Sequence, residues 1–502
     1  MMRVTEKEGG EQANNVSSND ASCKAQSLGV AIVKHSKRLS LALWLHMRTQ
    51  SLPTALRFVY SSLNPIIHSN TMWLINAQTQ ELEMFNDEHT LPPYAILSHT
   101  WGPSEITMQQ YQGIVSDTSA QSNVVKSLPG YLKIDATCRQ TLTKGLAWVW
   151  IDTCCIDKTS SAELSEAINS MFRWYQQAKL CFVYLEDIDI VAKTSEIHEL
   201  RENPFAVYLG YPREQRDALA KARWFTRGWT LQELIAPQHM DFYDKNWDLI
   251  GTKEYLEPTL SDITGIDRTY LKADNVRHAS VAMRMSWAAK RTTTKVEDEA
   301  YSLFGIFDVN MPLLYGEGTK AFKRLQEEIF KDNDDQTLFA WQAPFATRAY
   351  FPHELDHELG PYGYSHIRLK ALPVFAEHPS QFSITAGSRS IGSEAELSIV
   401  SGKGLKGEFP LFKIPSKSGR ARVAVLSCTP KLHSGLLIGI VLWMLAPGHF
   451  MRDGRVGLVC VELKQIAAQD MREIYIRTVA HGSKMIEGGP EKPLRSIGVQ
   501  CL

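Results

Sequence analysis

Tyr94-Ala-Ile-Leu-Ser-His-Thr-Trp-Gly102 decides the fold. An apolar run stops abruptly in Ser98, His99, Thr100 and Trp101, and Gly102 then turns the chain. A short apolar run with a β-branched member, closed by small polar residues, reads as a buried parallel strand. Trp150-Ile-Asp-Thr-Cys-Cys-Ile-Asp157 is built the same way. Open α/β sheets bind ligands just beyond the C-terminal ends of such strands. Two tips of this kind therefore predict one shared site.

Working outward, Tyr131–Gly145 has apolar residues at helical spacing (Leu132, Ala136, Leu142, Leu146) and leads into a strand over Trp148–Asp152. Asp157 or Ser160 is placed to cap a helix over 161–178, with Ala167, Ile168, Met171, Trp174, Tyr175 and Ala178 on its apolar face. A strand over Leu180–Leu185, a helix over about 215–235 and a strand over Met240–Tyr243 follow. This alternation predicts right-handed crossovers and a parallel sheet. Upstream, Trp73–Asn76 and Glu81–Phe85 read as a hairpin. Residues 253–335 read as mostly helical. After Trp341, short strand-like runs separated by Gly, Ser and Pro predict an antiparallel β module.

The expected organisation is a poorly structured extension over 1–71, with 1–25 disordered, an α/β domain over 72–250, its helical extension over 251–340, and a β-rich C-terminal module over 341–502. At 502 residues, two or three domains are expected. A formal net charge of −1 gives no general attraction to nucleic acid or to a membrane surface. Eight cysteines include no CxxC pair and no zinc spacing, so no metal is expected and a reduced, cytoplasmic setting is the simplest reading. The longest apolar run, Leu436–Ala446, is about half of the ~20 residues a spanning helix needs, so a buried strand is expected there. Leu39–Met47 follows basic residues but starts too late for a secretory leader, with Glu6, Glu8 and Glu11 ahead of it.

Tyr94–Gly102, Trp150–Asp157, Arg223–Pro237 and Arg284–Ile329 together resemble the fungal heterokaryon-incompatibility (HET) domain family, over roughly residues 72 to 340. Phe375-Ala-Glu-His-Pro379 and Gly404–Leu411 resemble the region that often follows such a domain. The resemblance implies a regulated trigger of cell death after fusion of unlike hyphae. It also implies a distant likeness to TIR domains, many of which cleave NAD, and hence a flavodoxin/TIR-like sheet.

In Trp229-Thr-Leu-Gln-Glu233, Trp and Glu stand four apart on one helical face. The pair resembles the Trp-x-x-x-Glu pattern of TIR domains, which implies that Glu233 is the catalytic residue for cleavage between nicotinamide and ribose. A carboxylate there can hydrogen-bond ribose hydroxyls and stabilise an oxocarbenium ion. The plainer alternative pairs Glu233 with Arg227 or Arg223 on a helix surface. Ser98, His99 and Trp101 are candidates to bind substrate, with Trp101 or His99 stacking on a base, against a packing role under the sheet. Asp152 is a candidate ribose ligand. Asp157 fits an N-cap better. Glu163 is either a second site carboxylate or a helix-start acid. Arg227, with Arg223, is a candidate for pyrophosphate. Cys154 or Cys155 with His99 would make a nucleophile–base pair, although buried cysteines at strand ends are commoner. Glu297–Asp308 reads as a packing and capping element. NAD is thus expected as a substrate, with no resident cofactor. Expected partners are a second copy, through the HET domain, and an incompatibility partner protein. The alternative is a non-catalytic homotypic adaptor, with assembly faces around Trp174 and Trp224.

Overall fold

A computed structural model describes residues 71–86, 90–116, 120–189, 213–342, 371–392, 396–400, 404–414, 419–430, 435–453, 457–466 and 471–477. The expected disorder of residues 1–25 lies outside them. The first sheet has seven strands: β1 (Met72–Asn76), β2 (Leu82–Phe85), β3 (Tyr94–His99), β4 (Trp148–Trp150), β5 (Leu180–Tyr184), β6 (Met240–Tyr243) and β7 (Leu249–Thr252). They lie in the order β2-β1-β4-β3-β5-β6-β7. The four central strands are parallel. The predicted hairpin β1–β2 extends one edge antiparallel to β4, and β7 closes the other antiparallel to β6. Every residue of β3 is buried, as expected for a strand covered on both faces.

The helices are α1 (Met108–Ser116), α2 (Ala120–Lys126), α3 (Pro129–Thr143), α4 (Ser161–Gln177), α5 (Arg213–Leu219), α6 (Thr230–Ile235), α7 (Lys253–Thr264), α8 (Val281–Ala288), α9 (Asp298–Tyr301), α10 (Phe304–Phe307), α11 (Lys320–Lys331) and α12 (Leu463–Ile466). In α4 the cap is Ser160, which accepts the Glu163 amide, and the whole predicted apolar face is buried. Its Trp174 and Tyr175 meet Trp150 of β4 edge-on, at ring separations of 5.6 and 5.9 Å.

Two helix expectations need correction. In α3, Leu132 and Leu142 are exposed, while Tyr131, Ile134, Thr137, Cys138 and Thr141 are buried. The face turns because Thr137 and Thr141 return their hydroxyls to the carbonyls one turn back, at 2.7 and 2.8 Å, and so enter the core satisfied. The single helix expected over 215–235 is broken into α5, a 3-10 turn at Arg223–Thr226 and α6. The second break, before α6, falls at Gly228. Its amide donates to Thr292 O at 2.9 Å, and a Cβ there would stand 2.4 Å from Thr293 Cγ2. A side chain at 228 would have to displace Thr293 to keep this approach to the Thr292–Thr293 backbone.

The C-terminal strands are β8 (Ala371–Leu372), β9 (Arg389–Ser390), β10 (Ser398–Val400), β11 (Gly404–Lys413), β12 (Ala421–Val425), β13 (Cys428–Thr429), β14 (Leu436–Ala446), β15 (His449–Asp453), β16 (Val459–Glu462) and β17 (Met471–Arg477). β11, β12, β14, β15 and β17 pair in a closed ring. The expected antiparallel pattern holds except between β15 and β17, which are parallel. Side-chain alternation splits β12 and β14. Ala424, Ile440 and Leu442 join the main core, and Val423, Val425 and Val441 form a separate cluster.

Position 340 falls inside a packed seam. Ala340 is fully buried, Trp341 Nε1 donates to Val374 O at 3.0 Å, and Gln326 exchanges two hydrogen bonds with the Ala376 backbone. Arg452 of β15 stacks on Trp341 at 3.6 Å and donates to Phe339 O. Among the described residues no helix is long and apolar enough to cross a membrane.

Candidate functional site

A cleft of about 400 Å3 opens at the C-terminal tips of β3 and β4. It is lined by His99, Thr100 and Trp101 from the end of β3, Asp152 from the end of β4, and Leu164, Ile168 and Met171 of α4. Arg227, Trp229, Thr230 and Glu233 form another wall, and Thr294, Lys295, Asp298 and Tyr315 of the helical extension complete it.

Glu233 is buried. Its Oε2 accepts the Ser98 hydroxyl at 2.5 Å, and Ser98 Oγ in turn accepts Trp224 Nε1 at 2.8 Å. Burial is the largest influence on its carboxyl and pushes it up to about 8. The Asp152 charge adds to this, while the Ser98 and Tyr175 hydroxyls and the Arg291 charge oppose it. Arg291, itself buried, donates to Arg227 O and to Thr230 Oγ1 at 2.8 and 2.9 Å, which anchors the start of α6. Lys253 holds the other end: its Nζ donates to the carbonyls of Leu234, Ile235 and Pro237. Burial lowers that amine to about 8. A helix of six residues with a buried acid is thus clamped by a cation at each end.

Trp101 is half exposed at the cleft mouth. Its Nε1 donates to Asp152 Oδ2 at 2.7 Å, and Lys158 Nζ lies 4.4 Å from its ring. Opposite, Tyr315 donates to Asp298 Oδ1 at 2.9 Å and carries Lys295 over its ring at 3.8 Å. Glu297 accepts the amides of Gly316 and Gly318, both at 2.9 Å, and so fixes the Tyr315 turn. Gly305 seats α10 on α4: a Cβ there would stand 2.0 Å from Phe172 Cβ.

Of the residues singled out from the sequence, His99, Trp101, Asp152, Arg227, Trp229 and Glu233 line this cleft, and Ser98 reaches it through Glu233. Glu163 does not. Its carboxylate accepts the Asp157 amide at 2.8 Å, and its own amide is capped by Ser160. Arg223 pairs with Glu186 and Asp187 instead. Cys154 and Cys155 are buried in the core, so they form no nucleophile pair with His99. Lys295 and Asp298 also line the cleft, so the segment expected only to pack and cap supplies part of its wall, and Tyr315 brings the neighbouring glycine-flanked loop beside it. Glu105 was not singled out from the sequence. Its Oε1 accepts the Gly102 amide at 2.7 Å and Lys133 at 2.5 Å.

An α/β sheet with a carboxylate-bearing cleft at its strand tips is the frame into which the comparisons fit. Residues 94–233 match the family described as Heterokaryon incompatibility protein (HET). The match runs from the first residue of β3 to Glu233, so this stretch is similar to a HET domain. Residues 320–406 match a domain of unknown function, DUF8212. Over 244 residues the chain is 46% identical to the vegetative incompatibility protein HET-E-1 of Podospora anserina. That stretch is 48% of this chain and 16% of that protein, so the chain spans a small part of its relative's length. No solved structure matches.

Proposed function

We propose that this protein acts in vegetative incompatibility, and that its HET cleft cleaves the nicotinamide–ribose bond of NAD, with the loss of NAD killing the fused cell. The observation that carries the reading is Glu233, a buried carboxyl facing a cleft with Ser98, Asp152 and two tryptophans around it. The parallel strands, taken in chain order, run 2-1-3-4, which is the flavodoxin-like order and supports a TIR-like reading of the sheet. In the reaction the C1′–N bond breaks and its electron pair leaves with the ring. Nicotinamide departs neutral because the ring nitrogen was cationic, so no general acid is needed. The Glu233 carboxylate faces the oxocarbenium ion that forms. Burial favours the neutral acid in the free protein, and a cationic ring entering the cleft favours the carboxylate. Trp101 and Trp229 give flat surfaces for the ring, and Arg227 and Lys295 give cations for phosphate.

The test is NAD consumption by the full chain at high concentration with a crowding agent, beside Glu233→Gln. Nicotinamide release by the parent alone supports the reading. Release by both proteins, or by neither, defeats it. The adaptor reading draws on Leu132 and Leu142, exposed on α3, as a surface for a second copy. Trp174 and Trp224 offer no such surface, because both side chains are buried.

A further inference from the structure

Three buried polar atoms at the strand tips have no hydrogen-bonding partner in the protein: His99 Nε2, Glu105 Oε2 and Asp152 Oδ1. They face one another. Nε2 stands 3.7 Å from the Glu105 oxygen and 3.9 Å from the Asp152 oxygen, too far for direct hydrogen bonds. The His99 side chain is 1% exposed, so bulk solvent does not reach it. Each of these groups is otherwise pinned. Glu105 Oε1 is held by Lys133 and Gly102, and Asp152 Oδ2 by Trp101. Buried polar atoms left unpaired in this way call for an occupant that hydrogen-bonds them. Among the described residues no group of His, Cys, Asp and Glu is arranged to hold a metal ion.

We propose that His99 is the general base of this cleft: its Nε2 and Asp152 Oδ1 hold the attacking water, and Glu105 balances the imidazolium that forms. This rests on the NAD-cleaving reading and deepens it from bond cleavage to hydrolysis. The water oxygen attacks C1′ as the bond to nicotinamide breaks, the leaving ring keeps the electron pair, and the water's proton passes to Nε2. Glu233 stabilises the ribosyl cation and His99 delivers the nucleophile, so the two roles separate experimentally.

Hydrolysis of NAD needs an activated water. Exchange of labelled nicotinamide into NAD does not. In full-chain His99→Gln, hydrolysis is expected to fall about 100-fold or more, with exchange changed by less than about tenfold. Glu105→Gln, which keeps the Gly102 contact, should bias the two reactions the same way more weakly. Equal loss of both reactions in folded variants overturns the role of His99. A crystal structure of the parent protein provides a readout free of activity. Ordered water within hydrogen-bond distance of Nε2 and Asp152 Oδ1 is expected, and a metal or an empty gap overturns the proposal. An inert parent that nevertheless holds this water would overturn the NAD reading itself, and with it the base role, while leaving the solvent site standing.

Discussion

Replacing Glu233 by Gln removes a charge that the fold has to suppress, so the variant should be more stable than the parent, and increasingly so as pH rises. The folded carboxyl titrates at about 8 against 4.5 in the unfolded chain, chiefly because it is buried. The folded protein therefore holds this proton more tightly. Its contribution to stability is fully present below about 4.5 and is lost as pH rises to about 8. Each pH unit across that window is worth about 1.4 kcal/mol. The loss reaches about 3 kcal/mol at pH 7 and about 5 kcal/mol above pH 8. Gln carries no such penalty, and its side-chain oxygen can still accept the Ser98 hydroxyl. Denaturant unfolding of both proteins across the window measures the difference directly. The gap should be near zero at about pH 4 and widen steadily to pH 8. Parallel stability curves for the two proteins would refute the reasoning, because they would mean that Glu233 titrates alike in the folded and unfolded chains.

If the ionised form of Glu233 is required, kcat/KM for NAD should rise about tenfold per pH unit and level off near pH 8, as a rate–pH profile would record. Gly305→Ala drives a methyl group into Phe172 and should cost about 1–3 kcal/mol in denaturant unfolding, because a Cβ there would stand 2.0 Å from Phe172 Cβ. Lys253→Met leaves three carbonyls at the end of α6 without their cation. It should lower stability by at least about 2 kcal/mol and reduce NAD cleavage without changing any residue that lines the cleft. A chain ending at residue 340 strips Trp341, Val374 and Arg452 from a shared core. It should unfold more readily than the full chain in limited proteolysis.

The amino-acid sequence by itself determined what local pattern can carry. Apolar runs ended by polar residues announced β3, β4 and their tips, and 3.6-residue periodicity together with Ser160 announced α4 and its buried face. Sheet periodicity announced most strands of the C-terminal ring. Local pattern failed where the deciding partner was distant in sequence. The buried face of α3 depended on threonines that satisfy their own hydroxyls, which hydrophobicity does not register. The break before α6 depended on Thr292 and Thr293 approaching Gly228. Glu163 looked like Glu233 in composition, yet one ties down the Asp157 amide outside the cleft and the other is a buried acid facing it. Only the tertiary structure decided between them, because a carboxyl group's chemistry is set by how much water and which charges surround it. The same holds for His99, Glu105 and Asp152, whose convergence is a matter of strand tips meeting in space and leaves no signature along the chain.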